Sequence, residues 1–350
     1  MAPGAFPILF VTSNRIGDAV LSSGLIKRLA DEIPNARFTV VAGPVATPLF
    51  EEVPTLDRII TLAKTKNRGH WFELWREVRG TRWGLVVDLR GSGLSRFIST
   101  RRRAIWRKVP GSPVHKVIEA ARILKIEDEP APPYIFTTPE TEARADDLTA
   151  GFGPILALAP AANWLGKTWP LERFSRVAMR LLDAEGPMKG GRLMVLGGPQ
   201  DQKLAKGLRD VVMRSQFINL TEDTDLLTAF ACLKRARLFI GNDSGTMHLA
   251  AAAGAPTLGL FGPSDDQLYG PWGENTRVAR GPRSYEQIRA VDPGFGQALC
   301  HMMDLTVETV EAAAEELLAA TDGGPKARMA EAPMTESPIT ETPITETPHD

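Results

Sequence analysis

The sequence predicts an α/β protein whose parallel sheets are covered by helices on both faces. Short apolar runs of strand length alternate with helical patterns along almost the whole chain, the rhythm of βαβ units. Polar, glycine-containing segments also recur where an apolar run ends and a helical pattern begins. In open α/β sheets, ligands sit at that place, outside the carboxyl ends of the strands. The 350 residues suffice for two domains of ordinary size.

Strands are expected in the first half at 8–12, 38–42, 58–61, 85–88 and 104–106, and in the second at 155–158, 193–196, 217–219, 238–240 and 257–261. The proline-rich stretch Glu127-Asp128-Glu129-Pro130-Ala131-Pro132-Pro133-Tyr134 is stiff and marks the boundary. The expected domains are therefore residues 1–138 and 139–321, with a helix over 139–150 opening the second and another pattern over 307–320 closing it. From residue 322 to 350 the chain is rich in proline, threonine and glutamate, with a five-residue repeat. It cannot build a core and is expected to be disordered.

Lysine and arginine number 41 against 42 acidic residues, so bulk charge points to no partner. Two cysteines, Cys232 and Cys300, supply neither a disulfide framework nor a CxxC metal pattern. Cys232 falls in an apolar helical pattern and is expected in the core, and a reducing cytosol fits. No basic leader precedes the first apolar run, and no run of about 18 apolar residues occurs. The sequence thus predicts a cytoplasmic protein. Five scattered histidines give no zinc pattern, so no metal is expected. Gly91-Ser92-Gly93-Leu94-Ser95-Arg96 resembles a dinucleotide fingerprint but lacks its last glycine and lies far from the first strand. Asp223-Thr224-Asp225 resembles a metal-binding DxD, but it directly precedes a helical pattern and reads as a cap.

Three junctions carry chemistry. In the first, the strand pattern 236–240 runs into Gly241-Asn242-Asp243-Ser244-Gly245-Thr246-Met247-His248-Leu249, with a small-residue helix expected from 249 to 253. Free N–H groups and the positive end of the helix dipole favour an anion there. Asp243 or Ser244 as a plain helix cap is the alternative. In the second, residues 8–12 lead through Ser13-Asn14-Arg15-Ile16-Gly17 to Asp18. Gly17 is free to adopt a backbone conformation closed to other residues. Asp18 reads either as the N-cap of an amphipathic helix or as a site carboxylate. In the third, Ala161-Ala162-Asn163-Trp164-Leu165-Gly166-Lys167-Thr168-Trp169-Pro170 precedes a helical pattern over 171–182. Lys167 there is either a solvated surface cation or a phosphate clamp.

These pieces resemble the family 9 glycosyltransferases, whose best known members are ADP-heptose:lipopolysaccharide heptosyltransferases. The resemblance rests on Ile16-Gly17-Asp18, Lys167-Thr168-Trp169-Pro170 and the 241–249 segment, followed by Gly262-Pro263-Ser264-Asp265. Order and spacing match over roughly residues 7 to 318. The resemblance implies GT-B architecture, two Rossmann-like domains facing a central cleft, with the acceptor in the first and the nucleotide-sugar in the second. It also implies an inverting, metal-independent enzyme needing no cofactor beyond its donor. On this reading Asp18 is the general base, and Lys167 with the helix N-terminus at Ser244, Gly245 and Thr246 stabilises the diphosphate leaving group. By the same analogy Asp243 touches the donor near its sugar and His248 supports the donor or its loop. A packed core histidine is the other reading of His248.

Ribose and base are expected near Gly197-Gly198-Pro199-Gln200-Asp201-Gln202, where the match falls on Asp201 or Gln202. Asn163 stands in for the small residues with which relatives commonly bind phosphate. The first half also carries many cations interleaved with Trp71, Trp75, Trp83 and Trp106. They read as a nucleic-acid surface, as a solvated face, or as the binding face for a lipid-linked glycan acceptor at an anionic membrane. For the spread-out arginines the solvated face is favoured; Lys64, Lys66 and Arg68 are the candidate acceptor residues, because the resemblance places the acceptor in the first domain, and no nucleic-acid partner is expected. The expected reaction moves a sugar, heptose from ADP-heptose, onto a lipopolysaccharide-core or related glycan acceptor. A non-catalytic nucleotide-sugar-binding protein and a GT-B-like sugar-nucleotide epimerase are the alternatives.

Overall fold

The computed structural model describes residues 4–63, 69–111, 113–296 and 299–322. In the first half the elements run β1 (Phe6–Val11), α1 (Ile16–Glu32), β2 (Ala36–Ala42), β3 (Leu56–Thr61), α2 (Gly69–Val78), β4 (Trp83–Asp88), β5 (Thr100–Ile105) and α3 (Lys116–Ala121). The five strands are all parallel, in the order β3-β2-β1-β4-β5. Ile8, Leu9, Phe10 and Val11 are completely buried, because a central strand covered on both faces must be apolar throughout. Val11 pairs with both Val41 and Asp88, so the loops after β1, β2 and β4 leave the sheet at one edge.

The second half begins with α4 (Pro139–Leu148) and β6 (Ile155–Ala159), then α5 (Leu171–Leu182), β7 (Arg192–Leu196), α6 (Gln202–Leu208), β8 (Phe217–Leu220) and α7 (Leu226–Leu233). It continues through β9 (Leu238–Asn242), α8 (Gly245–Ala252), β10 (Thr257–Phe261), α9 (Asp266–Tyr269), β11 (Thr276–Arg280), α10 (Tyr285–Val291) and α11 (Val307–Ala320). Six parallel strands lie in the order β11-β10-β9-β6-β7-β8. Ala159 pairs with Gly241 at the carboxyl edge, which sets the loop after β6 beside the loop after β9.

All ten expected strands are present. The sixth strand of the second sheet, β11, was not expected. It is an edge strand with only Ala279 buried, and its arginines mask the strand pattern. The expected helix over 307–320 is α11, which packs on α5 and on β9 to β11. Helix α4 packs on α7. There Glu142 accepts from Lys234 at 2.7 Å and Arg235 at 2.8 Å. Burial opposes the Glu142 charge, but Lys234, Thr137 and Arg235 pull its pKa down to about 2. One apolar cluster joins the halves: Phe10, Ala19 and Val20 from the first share it with Phe230, Met247, Leu249 and Ala250 from the second. The expected disordered tail lies, beyond residue 322, outside the described residues.

Candidate active site

The two strand-to-helix junctions at opposite ends of the sequence meet. Helix α1 packs against α8, N-terminus to N-terminus. A Cβ on Gly245 would lie 2.8 Å from Ile16 Cγ2 and 3.2 Å from the Gly17 nitrogen, and a Cβ on Gly17 would lie 3.0 Å from His248 Cδ2. Glycine at both positions lets the two backbones approach. Close approach, rather than the special backbone conformation expected of it, explains Gly17, which lies inside α1 and has no positive φ. The partial positive charge of two helix ends, each about +0.5, therefore converges on one region.

Helix α1 starts two residues before Asp18, with Arg15 at the capping position and no side-chain cap. Asp18 is thus not the N-cap. It sits in the first turn, half-buried, and accepts one hydrogen bond, 3.3 Å from Ser13 Oγ. It lines a pocket of about 360 Å³ with Ser13, Arg90, Trp106, Lys116 and Tyr269. Arg90 follows β4 and donates to Asn14 Oδ1 at 3.0 Å, its guanidinium 4.8 Å from the Trp71 ring centroid. Burial holds the Arg90 pKa below its usual value against the opposing pull of Asp88. Burial works against the Lys116 charge, yet Glu119, Tyr269 and Asp18 together raise its pKa. Arg90 and Lys116 escaped the sequence reading. Arg90 had a usable signal, a charged residue two places after a buried apolar strand; Lys116 had none, because no strand directly precedes it.

Across the junction, helix α8 begins at Gly245, four residues earlier than expected. Ser244 holds the capping position, but its side chain makes no cap bond, and its buried Oγ has no partner. Asp243 does not cap either. Its carboxylate accepts from Lys167 Nζ at 3.0 Å, with the two side chains 11% and 14% exposed. Asn242 fixes the frame beneath this pair, accepting from the Trp169 N–H at 3.0 Å and donating to the Pro160 carbonyl at 2.7 Å. The sequence reading had not singled out Asn242 as a separate element. His248 is buried, its Nδ1 unpartnered, and burial pushes its pKa down to about 4, with Asp243 opposing and His115 and Lys167 assisting. The imidazole is therefore neutral at physiological pH. Thr246 is half-buried in the same first turn.

The remaining candidates are placed as follows. Asn163 is exposed on the loop after β6. Asp201 turns its carboxylate onto its own loop, accepting from the Gly198 N–H at 2.8 Å, and Gln202 opens α6. Lys64, Lys66 and Arg68 lie outside the described residues. Asp225 caps α7 through the Thr228 N–H at 2.8 Å, so the DxD segment is a cap as expected. Ser92 and Ser95 of the glycine-rich decoy both donate to Asp88. Cys232 is buried, and burial pushes its thiol up to about 12. Among the described residues no group of three or more His, Cys, Asp or Glu could hold a metal ion, and no helix is long and apolar enough to cross a membrane.

Two parallel α/β sheets bring their polar strand-to-helix loops together at the carboxyl edges, the place where open α/β folds bind ligands. The sequence pattern of glycosyltransferase family 9 (heptosyltransferase) matches residues 112–292, and the chain belongs to that family. It is 26% identical over 311 residues to lipooligosaccharide heptosyltransferase 2 of Haemophilus ducreyi, covering 78% of this chain and 88% of that protein. It is 24% identical over 349 residues to lipopolysaccharide heptosyltransferase 2 of Escherichia coli, covering 87% and 96%. In fold it is similar to the solved ADP-heptose LPS heptosyltransferase II of E. coli, with a TM-score of 0.71 at 20% identity over 91% of this chain and all of that one. An E. coli heptosyltransferase solved with ADP gives a TM-score of 0.67 at 18% identity, covering 89% and 100%.

Proposed function

We propose that this glycosyltransferase moves heptose from ADP-heptose to a lipopolysaccharide-core acceptor, with inversion and without a metal. One observation carries the reading: the N-terminus of α1, with the lightly bonded carboxylate of Asp18, and the N-terminus of α8 come from opposite halves of the chain and meet. Asp18 takes the proton of the acceptor hydroxyl as that oxygen attacks the anomeric carbon. The bond from that carbon to the diphosphate breaks on the opposite face, so configuration inverts. Negative charge grows on the departing ADP. Lys167 and the N–H groups of Gly245 and Thr246 neutralise it, and the unpartnered Ser244 hydroxyl is free to donate to the same anion. Lys167 must exchange Asp243 for phosphate as the donor enters. Asp243 is then released toward the donor sugar.

Neutral His248 packs behind this loop and keeps a second cation away from Lys167. The fit of ADP rests on two converging helix ends beside a lysine; the base contact is assigned to the loop after β7 near Gln202. The names of the similar proteins support heptose as the sugar and the lipopolysaccharide core as the acceptor. We assign the acceptor to the Asp18 side of the cleft, with Lys64, Lys66 and Arg68 contributing. The enzyme works in the cytoplasm against the inner face of the membrane that holds the lipid-anchored acceptor. Phe72 and Phe97, 62% and 76% exposed beside Trp75 and Arg79, suit such a contact.

The test is a transfer assay with a deacylated core oligosaccharide and ADP-heptose, UDP-glucose or GDP-mannose as donor, each with and without EDTA. Transfer from ADP-heptose alone, unaffected by EDTA and giving the inverted anomer, is expected. Transfer from another donor, or loss of activity in EDTA, overturns the reading.

A further inference from the structure

Lys167 ends a short helical turn, Leu165–Lys167, on the loop between β6 and α5. The carbonyls on either side of it are bonded to consecutive residues of the chain between α10 and α11. The Gly166 carbonyl accepts from the His301 N–H at 2.9 Å, and the Thr168 carbonyl accepts from Cys300 Sγ at 3.2 Å. Further along the same strip, the Leu305 carbonyl accepts from the Trp169 indole N–H at 2.9 Å. The backbone of Lys167 is thus held on both flanks by residues 300–305.

That strip is anchored in turn. His301 is buried, and its Nε2 donates to Oδ2 of the equally buried Asp292 at 3.2 Å. The other Asp292 oxygen accepts from the Gly296 N–H at 3.1 Å. Phe295 takes a φ of 47° there, unfavourable for a bulky residue, and its ring centroid lies 5.9 Å from that of Trp164. The Trp164 ring covers Gly166, where a Cβ would come within 1.8 Å of it. Burying an imidazole with a carboxylate costs desolvation free energy that their mutual hydrogen bond only partly offsets. What the pair secures is the place of the His301 backbone, and through it Gly166 and Lys167.

We propose that Cys300 and His301 are positioning residues for Lys167, with Asp292 as their anchor. Because its backbone is pinned on both flanks, Lys167 passes from Asp243 to the diphosphate by side-chain rotation alone. Less freedom is then lost when the anion arrives. The inference rests on the diphosphate role of Lys167 proposed above and adds what keeps that cation in range.

A double-mutant cycle on the full chain, read by calorimetry with ADP, tests it. Cys300→Ala removes the thiol donor, Cys300→Ser keeps a donor in its place, and His301→Leu removes the anchoring bond. In the presence of Lys167, Cys300→Ala is expected to weaken ADP binding about threefold and His301→Leu about tenfold, with Cys300→Ser close to the wild type. In the Lys167→Ala background the same substitutions are expected to change ADP affinity no further, because no cation is left to position. A purely structural role would weaken ADP equally in both backgrounds. That result overturns the inference, as do wild-type affinities in all three variants. If thermal unfolding shows that His301→Leu does not fold, the Cys300 pair decides: a loss in Cys300→Ala that Cys300→Ser restores supports the role, and an equal loss in both overturns it. Undiminished ADP binding by Lys167→Ala alone would instead refute the diphosphate role of Lys167, and with it the proposed function. Weakened binding there without coupling to Cys300 or His301 refutes only the positioning.

Discussion

The β1–α1 and β9–α8 junctions are built alike and furnished differently. Each is a short polar loop after a buried parallel strand, with a glycine at the first or second helical position. At α1 the carboxylate of Asp18 faces an open pocket and accepts one 3.3 Å bond. At α8 the carboxylate of Asp243 is buried against Lys167, His248 is held neutral, and the Ser244 hydroxyl is left without a partner. The first junction thus presents a carboxylate in reach of solvent, where the proposed mechanism needs a base. The second keeps a cation and an unused donor in a dry place, where a diphosphate would be worth most. In the proposed mechanism the same backbone device serves proton removal on one side and anion stabilisation on the other, according to what surrounds it.

Substitutions that separate the two junctions sharpen this comparison. Asp18→Asn keeps the shape and removes the proposed base. Turnover with ADP-heptose is expected to fall by about 10²–10⁴-fold; an unchanged rate in initial-velocity assays would break the assignment. Lys167→Ala acts on the other side. Its kcat is expected to fall by about 10²–10³-fold, with nucleotide affinity falling too, since the proposed mechanism has the cation on the diphosphate in both ground and transition states. A loss confined to acceptor KM would place Lys167 elsewhere.

His248 gives a pH signature to the α8 side alone. An unfolded histidine has a pKa of about 6.5, whereas burial holds His248 at about 4. Between those values the unfolded chain takes up a proton that the folded one refuses. Stability is therefore full above about pH 6.5 and declines as the pH falls toward 4, by up to ~3 kcal/mol from this group. Urea unfolding at pH 7 and pH 4.5 should show a steeper loss in the wild type than in His248→Gln. Identical losses would mean that His248 is not the titrating group.

The glycines give the smallest effects. Gly245→Ala drives a Cβ to 2.8 Å from Ile16 and should cost about 1–3 kcal/mol. Gly17→Ala meets only the edge of the His248 ring at 3.0 Å. Its helix-propensity gain of up to about 1 kcal/mol offsets most of that strain. Thermal unfolding that ranked Gly17→Ala as the worse of the two would contradict the contact geometry.

Much of this was legible in the sequence, for reasons particular to each element. The central strands β1, β4, β6, β9 and β10 are buried on both faces and so read as apolar runs. Edge strand β11 was hidden because polar residues break its apolar pattern: Arg277 faces solvent and Arg280 is held by Asp266 and the Ser264 carbonyl. The junction residues stood out because polar and glycine residues interrupt apolar runs. What they touch did not. That Gly17 meets Gly245 depends on how helices more than 200 residues apart in sequence pack. Asp18 and Asp243 both read as possible caps, and only the helix starts at Ile16 and Gly245 show that neither is one. Asp201 reads as a ribose acceptor; that its Oδ2 accepts from the Gly198 N–H of its own loop could not be read from the sequence. Arg90 and Lys116 reach the Asp18 pocket from β4 and α3, a convergence made by the sheet order.

The central claim is that the two junctions form one site with divided labour. Calorimetric titration of ADP into the wild type, Asp18→Asn and Lys167→Ala tests it most directly. The account predicts that Asp18→Asn binds ADP within about twofold of the wild type, while Lys167→Ala binds it at least about tenfold more weakly. Equal weakening in both variants, or undiminished binding by Lys167→Ala, would contradict it.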